Sequence, residues 1–109
     1  MDGSLPLAEN VPTPLLAELR ERLSANLPGL ATAFHIKALG LFGSYVRHEQ
    51  TPQSDLDVLV EFDQPPSLFE FIRLENQLSD LLGVQVDLVM KEALKPAIGR
   101  RILQEYVPL

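Results

Sequence analysis

The chain of 109 residues contains no cysteine and no tryptophan, and only 6% of its residues are aromatic. The absence of cysteine excludes a disulfide framework and any metal site made of thiolates. No apolar stretch approaches the roughly 20 residues that a membrane-spanning helix requires. The first residues also lack the basic and apolar segments of a secretory signal. We therefore expect a cytoplasmic protein that does not enter a membrane.

Positive charge is also scarce, since nine Lys and Arg residues stand against fifteen Asp and Glu residues and give a net charge of −6. Basic side chains that neutralise phosphates supply much of the affinity of nucleic-acid-binding proteins. We therefore expect no direct binding of nucleic acid. With 46% hydrophobic residues, the composition is that of a globular domain, and its acidity suits a metal ion or a basic protein partner.

The spacing of apolar residues, prolines and glycines indicates one domain with alternating helices and strands. We predict a flexible tail over residues 1–12 and a single domain over residues 13–109. The predicted helices cover 14–26, 68–82 and 92–105, the last interrupted or begun near Pro96, and the predicted strands cover 34–42, 55–62 and 84–90. A short helical turn is expected between the first two strands.

Local signals predict where the first two helices begin and end. Thr13, which precedes a proline, is typical of a helix N-cap, and Pro28 with its following glycine predicts the end of the first helix. Ser67 and Glu70 match a capping box at the start of the second helix. Gly83 is expected to end that helix in the left-handed conformation.

The connections between the strands predict the topology of the sheet. The second and third strands are joined by a helical crossover, which favours a parallel pair. The first and second strands have a shorter link, so we expect them to be antiparallel. The predicted fold class is therefore α/β (α+β), a small mixed sheet of three or slightly more strands with flanking helices, in the order α-β-turn-β-α-β-α.

Three aspartates on the predicted strands are the strongest functional signal. Asp55 and Asp57 are two residues apart, so both carboxylates should project from one face of their strand. Asp87 is the only acid in the next strand, which should lie alongside. Neighbouring carboxylates repel each other, and hard divalent cations that prefer oxygen ligands relieve that repulsion. We therefore predict that the three acids hold two Mg²⁺ ions, the arrangement used for in-line phosphoryl displacement.

A turn before the acid pair has the features of a phosphate-binding loop. Gly43 would let backbone N–H groups approach a phosphate, and Ser44 opens a short turn whose unpaired N–H groups form an anion site. Arg47, one turn later, could contact the same phosphates through its guanidinium.

These residues carry a family resemblance. Gly-Ser-Tyr-Val-Arg at 43–47, Ser-Asp-Leu-Asp-Val-Leu-Val-Glu-Phe at 54–62 and Val-Asp-Leu-Val at 86–89 resemble the signature of the DNA polymerase beta-like nucleotidyltransferase superfamily. In particular, they resemble its minimal nucleotidyltransferase (MNT) domains. The similarity extends from about Leu39 to the end of the chain.

The resemblance implies an antitoxin of a toxin–antitoxin pair whose toxin is a HEPN-domain RNase. Members of this kind, similar to type VII antitoxins, transfer AMP from ATP to a tyrosine of the toxin. By similarity, Gly43 and Ser44 would hold the triphosphate, and Asp55 and Asp57 would hold both metal ions. Asp87 would complete the metal site and help to deprotonate the acceptor hydroxyl.

Several alternatives remain open from the sequence. Ser54 could start a helical capping box, Asp87 could protect an edge strand, and Arg47 could be a solvated surface residue. His48 stands where many relatives have glycine, which leaves the loop after Arg47 undetermined. The protein could also neutralise a HEPN toxin by binding alone, or modify a small molecule or an RNA end.

Overall fold

The computed structural model describes residues 14–109, so the predicted tail and the Thr13 N-cap lie outside the described residues. Its helices are α1 (Leu16–Phe34), α2 (Leu68–Leu82) and α3 (Pro96–Glu105), and its strands are β1 (Ile36–Phe42), β2 (Leu56–Phe62), β3 (Val86–Met90) and β4 (Val107–Pro108). The strand order is β3-β2-β1-β4. The predicted mixed α/β fold is confirmed, with a fourth strand too short to be recognised from its two residues.

The pairing of the strands agrees with the predicted topology. β1 and β2 are antiparallel, and β2 and β3 are parallel through the crossover that contains α2. β4 runs antiparallel to β1 at the other edge of the sheet. In this register Phe42 lies opposite Asp57, and Asp57 lies beside Asp87, so these three side chains share one face of the sheet.

The two faces of the sheet are covered by different helices. On one face, α1 and α2 pack on the sheet and form the main core, which is contributed by Leu19, Leu23, Leu30, Leu39, Leu41, Leu56, Val58, Val60, Leu74, Leu78, Leu82, Val86 and Leu88, among others. On the other face, a smaller cluster joins Phe42 and Leu59 to Ile102 of α3. Because strand side chains alternate, Asp57, two residues before Leu59 in β2, lies on the same face as Leu59, which is the face covered by α3.

The first helix is longer than predicted, because it continues through Pro28 to Phe34. An interior proline lacks an N–H and costs a helix about 3 kcal/mol. Leu30 and Phe34 are only 5% and 8% exposed, and burying each such side chain contributes about 1.5–3 kcal/mol. Packing on the main core therefore outweighs the local stop signal. The helix also starts at Leu16, so Pro14 is not its first residue, and it is capped after Phe34 by His35, whose φ is 57°.

The second helix has the predicted ends. Ser67 Oγ accepts a hydrogen bond from Glu70 N–H at 3.1 Å, and Glu70 Oε1 accepts from Ser67 N–H at 2.9 Å. Gly83 ends the helix with φ 71°. The predicted capping box and glycine cap are both confirmed.

The last helix begins with Pro96 in its first turn, while Lys91–Ala93 forms a separate 3-10 turn. The sequence had left open whether the proline interrupts or begins the helix, and the structure has it as the start. Among residues 14–109, no helix has both the length and the apolar character needed to cross a membrane.

Candidate active site

Asp57 and Asp87 are brought side by side at the start of two parallel strands. They are register partners in the β2–β3 ladder, where neighbouring strands lie about 4.8 Å apart. Asp57 is half-buried, whereas Asp87 and Asp55 are exposed. Asp55 lies one residue before β2, where the Leu56 N–H donates to the Gln85 carbonyl at 2.8 Å. The helical capping alternative for this segment is wrong, because the residues after Asp55 form a strand.

We call the surface formed by Asp55, Asp57 and Asp87 the acid face. The strongest electrostatic effect on it is at Asp57. Its pKa is raised from 3.8 to about 6, first by burial of the carboxylate and then by the negative charges of Asp87 and Asp55. Arg47 lowers this pKa, and Glu105 adds a further small increase. The folded chain therefore disfavours a charged Asp57 in the absence of a cation, first because burial removes water from the carboxylate and then because its neighbours supply more negative than positive potential.

The donor set on the acid face fits a hard divalent cation. Mg²⁺ prefers oxygen ligands, and besides burial the pKa of Asp57 is raised by repulsion from Asp87 and Asp55, which such a cation would relieve. Within residues 14–109, no three His, Cys, Asp or Glu side chains are already gathered as a group that could hold a metal ion. Mg²⁺ in phosphoryl-transfer sites is bound by protein carboxylates together with substrate phosphates, and the register pair Asp57 and Asp87 could supply such carboxylates.

The Gly43–Ser44 bend lies directly on the Asp57 carboxylate. β1 ends at Phe42, and Gly43 then has φ 84°, a conformation that side-chain-bearing residues rarely adopt. A Cβ atom on Gly43 would overlap Asp57 Oδ2. Both the backbone conformation and the available space therefore require glycine here. The bend and Asp57, predicted to belong to one compact site, are in direct contact.

The loop after the bend is a tight turn held by its own backbone. The Val46 and Arg47 N–H groups donate to the Gly43 carbonyl at 3.0 and 3.1 Å, and the Glu49 N–H donates to the Ser44 carbonyl at 2.9 Å. Tyr45 is only 2% exposed and fixes the turn to the core. His48 has φ 59°, so the left-handed conformation that glycine favours is kept even though histidine occupies this position.

Arg47 lies at the site, but its guanidinium already donates hydrogen bonds to the carboxylates of Glu49 and Glu105. Its Nε donates to Glu49 at 2.9 Å, and its Nη1 donates to both oxygens of Glu105 at 3.1 and 3.0 Å. Glu105 Oε1 also accepts from the Gly43 N–H at 3.2 Å. Glu105 is therefore a site residue that the sequence reasoning missed. No local pattern could have found it, because Gly43 and Glu105 are 62 residues apart.

Comparison with known proteins identifies the family of this arrangement. The family model described as a nucleotidyltransferase domain matches residues 16–109, which include the bend, the three aspartates and Glu105. The chain belongs to the nucleotidyltransferase domain family. Within it, the chain is a minimal nucleotidyltransferase, as the resemblance of its motifs implied.

Relatives of similar length support this assignment. The chain is 47% identical over 92 residues to a protein adenylyltransferase, MntA, of Thermococcus cleftensis, and the match covers 84% of this chain and 93% of that protein. A solved structure assigned provisionally as a minimal nucleotidyltransferase is 38% identical, with a TM-score of 0.76 over 88% of this chain and 97% of the other.

A more distant structure has the same fold. It is the complex of an MNT antitoxin with a tri-AMPylated HEPN toxin of Shewanella oneidensis, which matches with a TM-score of 0.61 and 17% identity over 83% of this chain and 70% of the other. At that identity, the likeness concerns the fold alone.

Proposed function

We propose that this nucleotidyltransferase is the antitoxin of a HEPN toxin and that it transfers AMP from ATP to a tyrosine of that toxin in a Mg²⁺-dependent reaction. The observation that carries the proposal is the contact between the Gly43 bend and the Asp57 carboxylate, with Asp87 in register beside it. Such a contact joins a phosphate-binding loop to a cation-binding face, the two parts that transfer of a nucleoside monophosphate requires.

In this proposal, the bend binds the nucleotide and the acid face organises the reacting groups. The backbone N–H groups of the Gly43–Ser44 bend and the Ser44 hydroxyl donate to the triphosphate, and Arg47 contacts it through its guanidinium. Asp55, Asp57 and Asp87 would hold two Mg²⁺ ions, which supply positive charge that neutralises the carboxylates and polarises the phosphoryl oxygens.

The reaction itself is a displacement at the α-phosphorus of ATP. The tyrosine oxygen of the acceptor forms the new bond to phosphorus, and the bond to the pyrophosphate oxygen breaks. Asp87, the exposed member of the register pair, helps to remove the proton from the acceptor hydroxyl. The products are an AMP-tyrosine phosphodiester and pyrophosphate.

The choice of donor and acceptor is supported by the relatives. The archaeal relative at 47% identity is named a protein adenylyltransferase. The Shewanella oneidensis complex contains a HEPN toxin carrying AMP groups, and another complex of the same fold, at 21% identity and a TM-score of 0.65, was solved with AMP-PNP. Those proteins motivate ATP as the donor and a HEPN toxin as the partner.

Labelled ATP tests the proposal. The purified chain is incubated with its HEPN partner, Mg²⁺ and ATP labelled at the α-phosphate, and label on the toxin and toxin RNase activity are both measured. We expect label on a toxin tyrosine and loss of RNase activity. The double variant Asp55→Ala/Asp57→Ala should transfer no label, whereas Asp63→Ala/Asp80→Ala, which removes two exposed acids elsewhere, should behave as the unmodified chain.

The same experiment separates catalysis from binding. If Asp55→Ala/Asp57→Ala neutralises the toxin fully without transferring label, the protein acts by binding alone and the catalytic proposal is wrong. If labelled AMP goes instead to RNA or to a small molecule, the nucleotidyltransferase chemistry stands and the proposed acceptor is wrong.

A further inference from the structure

Glu105, the last residue of α3, accepts hydrogen bonds from two donors that the proposed function assigns to phosphate, the Gly43 N–H and the Arg47 guanidinium. Glu105 Oε1 accepts from the Gly43 N–H at 3.2 Å and from Arg47 Nη1 at 3.1 Å, and Oε2 accepts from the same Nη1 at 3.0 Å. The Glu105 side chain is 22% exposed. One carboxylate therefore occupies both a backbone N–H of the bend and a guanidinium.

A carboxylate and a phosphate compete for such donors because they have the same charge sign and use similar hydrogen-bond geometry. Backbone N–H groups at a glycine bend and arginine side chains bind either anion. Two anions cannot both accept from the same N–H at full strength, and they repel each other when both lie within hydrogen-bonding distance of it. A triphosphate that reaches Gly43 must therefore displace Glu105 from the Gly43 N–H.

The backbone around Glu105 is held by packing, whereas its side chain is held by the hydrogen bonds to Gly43 and Arg47 alone among those described. Three residues earlier, Ile102 packs on Phe42 and Leu59, and the next residue, Tyr106, lies so close to Gly40 that a Cβ there would overlap its ring. These contacts hold the end of α3 over β1. The glutamate side chain has several rotatable bonds, so it can leave the bend without any movement of the helix.

Glu49 offers an internal comparison. It also pairs with Arg47, at 2.9 Å from Nε, but it is 66% exposed and belongs to the turn itself. Gly43 N–H donates to Glu105 and not to Glu49. The two glutamates thus share one partner, and only Glu105 fills the anion position of the bend.

We propose that Glu105 is an internal anion that satisfies the Gly43 N–H and Arg47 in the nucleotide-free protein and lowers the affinity for nucleoside triphosphate by competing with it. The inference rests on the proposed function, because it takes the Gly43 bend as the triphosphate site. Without the Glu105 carboxylate, the buried Gly43 N–H would lack this partner in the free protein. With it, each binding event must break the contact between Glu105 and Gly43. Glu105 therefore helps to set the affinity for nucleotide.

The test compares Glu105→Gln with Glu49→Gln. Glutamine keeps the size of the side chain and an oxygen that can accept from Gly43, but it removes the negative charge. Binding of a non-hydrolysable ATP analogue with Mg²⁺, and of inorganic tripolyphosphate alone, is measured by calorimetry. We expect Glu105→Gln to bind both probes about three- to tenfold more tightly than the unmodified chain, because a hydrogen bond to a charged acceptor is stronger than one to the neutral amide oxygen that replaces it by about that factor. Glu49→Gln should stay within about twofold.

Two results overturn the inference. Unchanged or weaker binding by Glu105→Gln would mean that Glu105 only positions Arg47 for the nucleotide. Equal tightening in both variants would mean that any lost negative charge suffices. An NMR titration of the unmodified chain with tripolyphosphate adds a readout that needs no variant: the Gly43 amide signal should shift as Glu105 is displaced, and an unmoved Gly43 amide contradicts the proposal.

Failure of this inference is distinguishable from failure of the proposed function. If AMP is transferred to the toxin but Glu105→Gln binds no more tightly, only the competition is wrong. If no AMP transfer occurs but Glu105→Gln binds tripolyphosphate more tightly, the anion site stands and the proposed reaction is wrong.

Discussion

The two faces of the sheet are built for different purposes. The face beneath α1 and α2 is an uninterrupted apolar core, and in the described part of the chain no polar or charged side chain is fully buried. Within residues 14–109, the buried cluster beneath α3 consists of Phe42, Leu59 and Ile102, and this face carries the half-buried Asp57. Folding free energy is therefore concentrated on one face, while the other retains charges that oppose folding.

The difference predicts that substitutions on the two faces will separate stability from activity. Substitutions on the acid face should abolish activity while the protein stays folded. Substitutions on the core face, which is the face beneath α1 and α2, should lower stability without a direct effect on the chemistry.

The largest expected effect is loss of AMP transfer on the acid face. Asp57→Asn removes the carboxylate that contacts the bend, and we expect the rate to fall by about a thousandfold, the scale of losing several kcal/mol of transition-state stabilisation. Asp63→Asn, an exposed acid beyond the end of β2, is the matched control and should retain the rate. A rate within about tenfold of the unmodified chain for Asp57→Asn would contradict the assignment.

On the core face, Leu78→Ala should lower the free energy of unfolding by about 3 kcal/mol, because Leu78 is fully buried and truncation leaves a cavity. Urea denaturation followed by circular dichroism measures it. Leu103→Ala, at a site that is 49% exposed on α3, should lower it by only about 0.5 kcal/mol. Equal losses for the two variants would remove the proposed difference between the faces.

The bend should be intolerant of even one methyl group. Gly43→Ala places a Cβ on the Asp57 carboxylate at φ 84°, and we expect a loss of about 1–2 kcal/mol in unfolding free energy together with weaker nucleotide binding. Gly29→Ala is the control, because it lies inside α1 with open space around it and should stabilise the chain by about 0.5–1 kcal/mol. A Gly43→Ala variant as stable as the Gly29→Ala variant would contradict the model of the bend.

The smallest predicted effect is a pH dependence that arises from Asp57. Its pKa rises from 3.8 to about 6 on folding, so the folded state binds a proton more tightly than the unfolded state. In EDTA, its destabilising contribution is fully present well above pH 6 and disappears as the pH falls through 6 towards 3.8. After allowance for solvent screening, it amounts to about 1 kcal/mol.

That pH dependence is measured as the difference between the unmodified chain and Asp57→Asn, because their other titrations cancel. As the pH falls from 7.5 to 4.5, the free energy of unfolding of the unmodified chain should increase relative to that of the variant. A constant difference over this range would show that Asp57 is not destabilised by its surroundings.

How far the sequence predicts this molecule depends on how local each signal is. The ends of α2 were predictable because Ser67, Glu70 and Gly83 act within one turn of the helix. The end of α1 was not, because the stop signal at Pro28 is local, whereas the burial of Leu30 and Phe34 that overrides it depends on the whole fold.

The candidate site divides in the same way. Gly43, Asp55, Asp57 and Asp87 could be selected from residue type and spacing, and strand alternation with a parallel pairing suffices to place Asp57 and Asp87 on one face. The Glu105 contact depends on how the end of α3 packs over β1, which no sequence pattern specifies. The roles of the selected residues in binding metal and nucleotide stay predictions.

The most direct test of the account is where a divalent cation binds with nucleotide. Mn²⁺ and a non-hydrolysable ATP analogue are added to the ¹⁵N-labelled chain, and the loss of amide NMR signals near the paramagnetic ion is mapped. The account predicts losses centred on Gly43, Asp57 and Asp87, with Asp63 spared, and no such pattern in Asp57→Asn. Losses centred elsewhere, or unchanged by Asp57→Asn, would contradict the claim that the bend and the acid face form one cation–nucleotide site.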